Sequence, residues 1–260
     1  MKEIHTETVI IWNLILGILK TPYSILMFIF GKYSLRQVIE PYHKLIKGLL
    51  EPRFTVSIIF LLIISFITSI FLSEELFDTL VLYPSDFLSY NFYTLITHGF
   101  LHAGLTHLFS NILIIYIFGR VVERELGSKN TAIIYFFGLV FAALFSSIIN
   151  LLQGNVLGGI GASGAAMALV ATGTLFKPFN FSYLMILPMP IFVIGWLAIF
   201  SDITGILNAT QDGIGYFAHI GGYISAIIVL FLLKEQHDLK KGLIINGILA
   251  LILFLIITYV

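Results

Sequence analysis

The sequence predicts an all-α polytopic membrane protein, and three observations carry that prediction. Hydrophobic residues make up 58% of its 260 positions and charged residues only 11%. Mean hydropathy is +1.01. Several uncharged stretches reach the roughly 20 residues a helix needs to cross a ~30 Å hydrocarbon core. So little polar surface cannot cover a water-soluble globule of this size, and the bilayer is the solvent for most of the chain.

Residues 1–53 form an amino-terminal segment with apolar runs at 9–19 and 23–31, broken by Lys20 and Pro22. Each run is too short to span, so the segment reads as a pair of amphipathic helices lying on the cytoplasmic leaflet. The first span is 54–72. The stretch 87–119 is uncharged apart from His98, His102 and His107. It reads as a long apolar loop followed by a second helix from about Thr106. Residues 130–176 carry no charge, and Gln153-Gly154-Asn155 divides them into spans three and four. Spans five, six and seven are expected at 178–201, 213–233 and 242–260. Pro188 and Pro190 inside span five should kink it. The expected organisation is 1–53 interfacial, 54–234 a six-helix core, and 235–260 a cytoplasmic turn with an added seventh helix.

Positive charge orients the spans. Of the 14 basic residues, seven lie in 1–53, and Arg120, Arg124 and Lys129 follow span two. Lys177 follows span four, and Lys234, Lys240 and Lys241 follow span six. All lie on one side, while the opposite loops hold acids such as Glu74, Asp78, Asp202 and Asp212. The amino terminus is therefore expected in the cytoplasm and the carboxyl terminus outside.

Composition also excludes classes of function. The 14 Lys+Arg are balanced by 14 Asp+Glu, so there is no basic footprint for nucleic acid. With no Cys, any nucleophile must be Ser, Thr, Lys or a carboxylate.

Polar groups inside spans are expensive, and few are present. Ser163 lies in Gly158-Gly159-Ile160-Gly161-Ala162-Ser163-Gly164 near the outer end of helix four. Such small residues also serve close helix packing. His219 lies in Ala218-His219-Ile220-Gly221-Gly222 at a matching depth on helix six, where a neutral imidazole could activate a serine. His107 and Asn111, four apart, share one face of helix two and are suitable donors to an oxyanion. Three histidines also raise a metal site. No His-Glu-x-x-His run and no intramembrane carboxylate accompanies them, so neither a metal nor a cofactor is expected.

These elements resemble the rhomboid intramembrane serine proteases over about 54–234. The resemblance rests on Gly161-x-Ser163-Gly164, Ala218-His219-x-x-Gly222, His102-x4-His107-x3-Asn111 and Gly119-x3-Glu123-x3-Gly127. It implies that Ser163 is the nucleophile and His219 its base, a dyad without an acidic third member. His107, the Asn111 side chain and the Ser163 N–H would hold the oxyanion. His98 and His102 would be structural, and Glu123 would anchor the turn between helices two and three. Met167 stands where an aromatic usually packs on the base, Tyr93-Thr94 replaces a Trp-Arg pair, and Glu125 stands where a basic residue is frequent. The resemblance further implies single-pass membrane proteins as substrates, cut near the outer boundary at a site open to the outside. A gate at helix five, loosened by Pro188 and Pro190, would admit them. The rival readings are a non-catalytic rhomboid-like protein that binds membrane clients, and a transporter or channel.

Overall fold

The computed structural model describes residues 7–182, 189–208 and 214–259. The chain is mostly helical. Helices α1 (Glu7–Ile29) and α2 (Leu35–Leu49) precede α3 (Arg53–Ser69). The first loop carries the short helices α4 (Glu74–Leu80) and α5 (Thr94–Thr97) with 3-10 turns at Pro84–Phe87 and His98–Phe100. Helix α6 (Leu105–Leu152) is followed by α7 (Ser163–Phe176), α8 (Ile191–Leu207), α9 (Tyr216–Leu232) and α10 (Gln236–Tyr259).

By length and composition α6 can cross a membrane, and α7, α8 and α9 are shorter apolar helices. Helix α6 is two helices end to end, because Gly127 at φ 77°, ψ 163° interrupts it. That break divides the second expected span from the third. Large apolar side chains face outward along the helices: Phe60 is 62% exposed, Leu197 59% and Phe231 61%. A lipid environment accounts for such a surface, where water would not.

Inside, the helices meet through small residues. A Cβ added to Gly138 on α6 would lie 2.5 Å from the Ala168 Cβ on α7, and one on Gly164 would lie 2.5 Å from the Ala142 Cβ. One on Gly222 of α9 would lie 2.3 Å from the Gly164 carbonyl oxygen. Lipid tails are as apolar as side chains, so close van der Waals approach holds helices together here. Helix α7 is the centre of the packing, with every residue from Gly164 to Thr174 buried.

Four expectations need correction. The apolar runs at 9–19 and 23–31 form one helix, α1, with Pro22 inside it. Proline removes one backbone bond, and the Thr21 hydroxyl donates to the Gly17 carbonyl (2.7 Å) in that turn. Second, the first loop is built of short helical turns, and Asp86 closes one of them by accepting from the Tyr83 N–H at 2.8 Å. Third, Arg120 is within α6 and 2% exposed, with its guanidinium 5.7 Å from the Tyr116 ring centroid. It is not a loop charge. Fourth, α8 starts after Pro190, which caps it from an extended conformation (φ −61°, ψ 143°). Met189–Pro190 instead pairs antiparallel with Phe181–Ser182. Pro190 cannot kink a helix it precedes, and Pro188 lies outside the described residues, as does Asp212.

Candidate active site

Ser163 is the first residue of α7. The turn before it is fixed from two sides. Leu82 and Gly159 exchange backbone hydrogen bonds (Leu82 N–H to Gly159 O, 3.1 Å; Gly159 N–H to Leu82 O, 2.8 Å), and the Gly161 N–H donates to the His98 carbonyl at 2.9 Å. The first loop thus holds the start of α7. Gly161 has φ +116°, a conformation that only glycine adopts without strain. As the first residue of a helix, Ser163 has a backbone N–H with no intrahelical acceptor, which leaves it available to an anion.

His107 and Asn111 approach that turn from α6. A Cβ on Gly161 would lie 2.7 Å from His107 Nε2 and 3.6 Å from Asn111 Nδ2. The Ala103 N–H donates to His107 Nδ1 at 3.4 Å. An amide can only donate, so Nδ1 is the acceptor nitrogen and Nε2–H the donor, directed at the Gly161 turn. Asn111 is buried, and its Nδ2 donates to the His107 carbonyl at 3.2 Å. Both side chains can therefore present N–H groups close to Ser163.

His219 sits near the start of α9 and is buried. Its helix touches α7 at the level of Ser163, since a Cβ on Gly164 would lie 3.6 Å from the Ala218 carbonyl. Among the described residues no hydrogen bond joins the Ser163 hydroxyl to His219. Catalytic hydrogen bonds are often long in unliganded sites. The other ring nitrogen is engaged: His219 Nδ1 lies 2.8 Å from Asp202 Oδ1.

Asp202 corrects two expectations. It is not in an outer loop, and the histidine does have an acidic partner. Because α8 begins only at Ile191, Asp202 falls inside it, 5% exposed. Asp202 Oδ2 accepts from the Tyr223 hydroxyl at 2.6 Å, and that hydroxyl lies 3.1 Å from Met167 Sδ. The Met167 sulfur therefore meets Tyr223. The sequence signal for Asp202 was the pair of prolines: starting helix five after Pro190 places Asp202 eleven residues in, about 17 Å along the helix axis and inside the helix rather than beyond its end.

The supporting residues have distinct partners. His98 is 7% exposed, its Nδ1 lies 2.7 Å from the Thr94 carbonyl, and burial pushes its pKa down to about 4. Thr94 thus serves His98. His102 packs edge-on against His107 with ring centroids 5.1 Å apart. Glu123 does more than brace its own turn. It accepts from Ser128 Oγ (2.5 Å), and also from the N–H groups of Phe54 (2.8 Å) and Thr55 (2.9 Å) at the start of α3. Glu125 pairs with Lys177 at 3.2 Å. Among the described residues no group of three or more His, Asp or Glu is placed to hold a metal ion.

A cavity of about 350 Å³ lies between α7, α8, α9 and α10, lined by Thr174, Trp196, Phe200, Tyr223 and Asn246. Tyr223 lines it, and neither Ser163 nor His219 does.

Residues 89–236 match the family model of the Rhomboid domain. The chain is similar to Rhomboid-like protein 11, chloroplastic, of Arabidopsis thaliana, 30% identical over 191 residues that cover 66% of this chain and 66% of that protein. It is also similar to RHOMBOID-like protein 12, mitochondrial, of the same plant, 27% identical over 174 residues covering 61% of this chain and 52% of that protein. RHOMBOID-like protein 4 of Arabidopsis thaliana is 27% identical over 143 residues, 54% of this chain and 33% of that protein. The aligned regions span between a third and two thirds of the length of these relatives. The matched domain takes in more than half of the chain and contains Ser163, His219, His107 and Asn111; the chain belongs to the rhomboid family.

Proposed function

We propose that the protein is an intramembrane serine endopeptidase that hydrolyses peptide bonds of single-pass transmembrane proteins near the outer membrane boundary. The observation that carries this reading is the convergence of four elements on the Gly161–Ser163 turn: the helix start of α7, the His107 and Asn111 side chains, and the His219 end of α9. In the proposed reaction Ser163 Oγ attacks the scissile carbonyl carbon and its proton passes to His219 Nε2. His107 Nε2–H, Asn111 Nδ2 and the Ser163 N–H stabilise the oxyanion. The C–N bond then breaks, the amine takes the proton from His219, and water hydrolyses the acyl-enzyme.

In this reading 54–234 is a six-helix membrane core, α10 is a seventh span, the amino terminus is cytoplasmic and the site opens outside. The charge pattern and the outward apolar side chains support that arrangement. Family membership supports the activity. The second reading is a non-catalytic rhomboid-like protein that binds membrane clients.

A fluorophosphonate probe, which needs no natural substrate, separates the two. The purified full-length protein is expected to be labelled at Ser163, with labelling lost in both Ser163→Ala and His219→Ala. Folded wild type that resists this probe and a second class of serine inhibitor would leave the binding reading.

A further inference from the structure

We propose that Asp202 is a positioning residue for the His219 base: it accepts a hydrogen bond from Nδ1–H, fixes the tautomer that leaves Nε2 free for Ser163, and balances the charge that forms on the imidazole. The inference rests on the hydrolase reading and adds a third member to the expected pair.

The geometry is specific. A buried carboxylate is costly unless its oxygens are satisfied. Asp202 is 5% exposed, and each oxygen has its own partner: Oδ1 the His219 ring at 2.8 Å, Oδ2 the Tyr223 hydroxyl at 2.6 Å. His219 and Tyr223 are four apart and so lie on one face of α9. Asp202 reaches them from α8. The contact is held by close packing, because a Cβ on Gly205 of α8 would lie 2.1 Å from the Tyr216 ring at the start of α9. An imidazole that donates through Nδ1 presents a bare Nε2, the form a general base requires. When Ser163 Oγ bonds to the substrate carbonyl, its proton moves to Nε2 and later to the leaving amine. Asp202 gains no proton at any step.

A carboxylate joining two helices could also be only a structural tie, so the test uses readouts that a tie would not move. The first is the tautomer of His219 in wild type, read by NMR of the ¹⁵N-histidine-labelled full-length protein in detergent and assigned by its loss in His219→Ala. A proton on Nδ1 and a bare Nε2 are expected. The opposite tautomer would overturn the inference whatever the variants do.

The second is the kinetics of Ser163 labelling by the fluorophosphonate, with its saturation constant and maximal rate measured separately. Asp202→Asn is expected to lower the maximal rate about 10²- to 10⁴-fold at an unchanged saturation constant, as loss of the acidic partner does in other serine hydrolases. Asp202→Glu should recover about tenfold or more of that loss. Tyr223→Phe, which removes the hydroxyl's contacts with Asp202 Oδ2 and Met167 Sδ but leaves the Nδ1 bond, should lose at least about tenfold less than Asp202→Asn. A wild-type rate in Asp202→Asn, or a loss that merely tracks the fraction folded, would overturn the inference and leave the Ser163–His219 reading standing. Wild type unlabelled at Ser163, or His219→Ala labelled like wild type, would fail the hydrolase reading itself and this inference with it.

Discussion

Glu123 and Thr55 are 68 positions apart in sequence and joined twice. One Glu123 oxygen accepts from both the N–H (2.9 Å) and the hydroxyl (2.8 Å) of Thr55, while the other accepts from the Phe54 N–H. These amides belong to the first turn of α3, where no helical carbonyl can serve them. The carboxylate therefore caps α3 from α6, next to the break at Gly127.

Glu123→Ala should accordingly destabilise the fold by about 2–4 kcal/mol, since it strands two amides and the Thr55 and Ser128 hydroxyls. Glu123→Gln keeps one acceptor oxygen and should lose about half as much. Thermal unfolding in detergent measures both. Labelling of Ser163 per folded molecule should not change, and a selective loss of labelling with intact stability would mean that Glu123 acts on the site.

Gly161→Ala tests the turn that presents Ser163. The new methyl would sit 2.7 Å from His107 Nε2, and the residue would hold φ +116°. Steric overlap and backbone strain add, at a cost of about 1–3 kcal/mol for the strain alone. The proposed oxyanion donor must move, so the rate of fluorophosphonate labelling should fall by about 10²-fold or more. A variant that unfolds near the wild-type temperature and labels at the wild-type rate would place His107 outside the chemistry.

The order of the helices was legible because each apolar stretch is bounded by charge or by glycine. Residues 130–176, for instance, divide at Gln153-Gly154-Asn155 into the end of α6 and the loop before α7. What hydropathy could not supply is the point at which an apolar stretch becomes helical. Residues 178–201 read as one span, yet Met189–Pro190 pairs with Phe181–Ser182 and the helix starts thirteen residues late. That shift carries Asp202 from a loop to the side of His219. Arg120 was misplaced for a related reason: counting it as a loop charge took no account of the Tyr116 ring one turn before it. The shared face of His107 and Asn111 was legible from their spacing, but that the Gly161 turn meets that face was not, and it entered only through resemblance.

Asn246 gives the carboxyl-terminal helix an anchor that its apolar sequence does not suggest. Its Oδ1 accepts from Trp196 Nε1 on α8 (3.0 Å), and its Nδ2 donates to the Thr174 carbonyl on α7 (3.1 Å). That carbonyl needs an outside donor, because the residue four positions on is Pro178, which has no N–H. Asn246→Leu should therefore cost about 1–2 kcal/mol. In a double-mutant cycle with Trp196→Phe, measured by thermal unfolding, the pair should couple by about 0.5 kcal/mol or more. Strict additivity would mean that the indole bond holds nothing.

His98 makes stability depend on pH. It lies in the first loop, outside the long helices, and burial lowers its pKa from 6.5 to about 4. The unfolded chain therefore binds a proton between these values that the folded chain does not, so stability falls as pH drops from about 6.5 towards 4. The full loss is on the order of 3 kcal/mol. Above pH 7 the term is constant, because both states are neutral there. His98→Gln keeps a donor for the Thr94 carbonyl but cannot titrate. It should be less stable than wild type at pH 7.5 and lose less on acidification, so the two unfolding temperatures should converge by pH 4.5. Parallel curves over that range would mean that His98 takes up its proton equally in the folded and unfolded chain. In that event the bond from Gly161 N–H to the His98 carbonyl, which holds the Ser163 turn, would not weaken with acid through this residue.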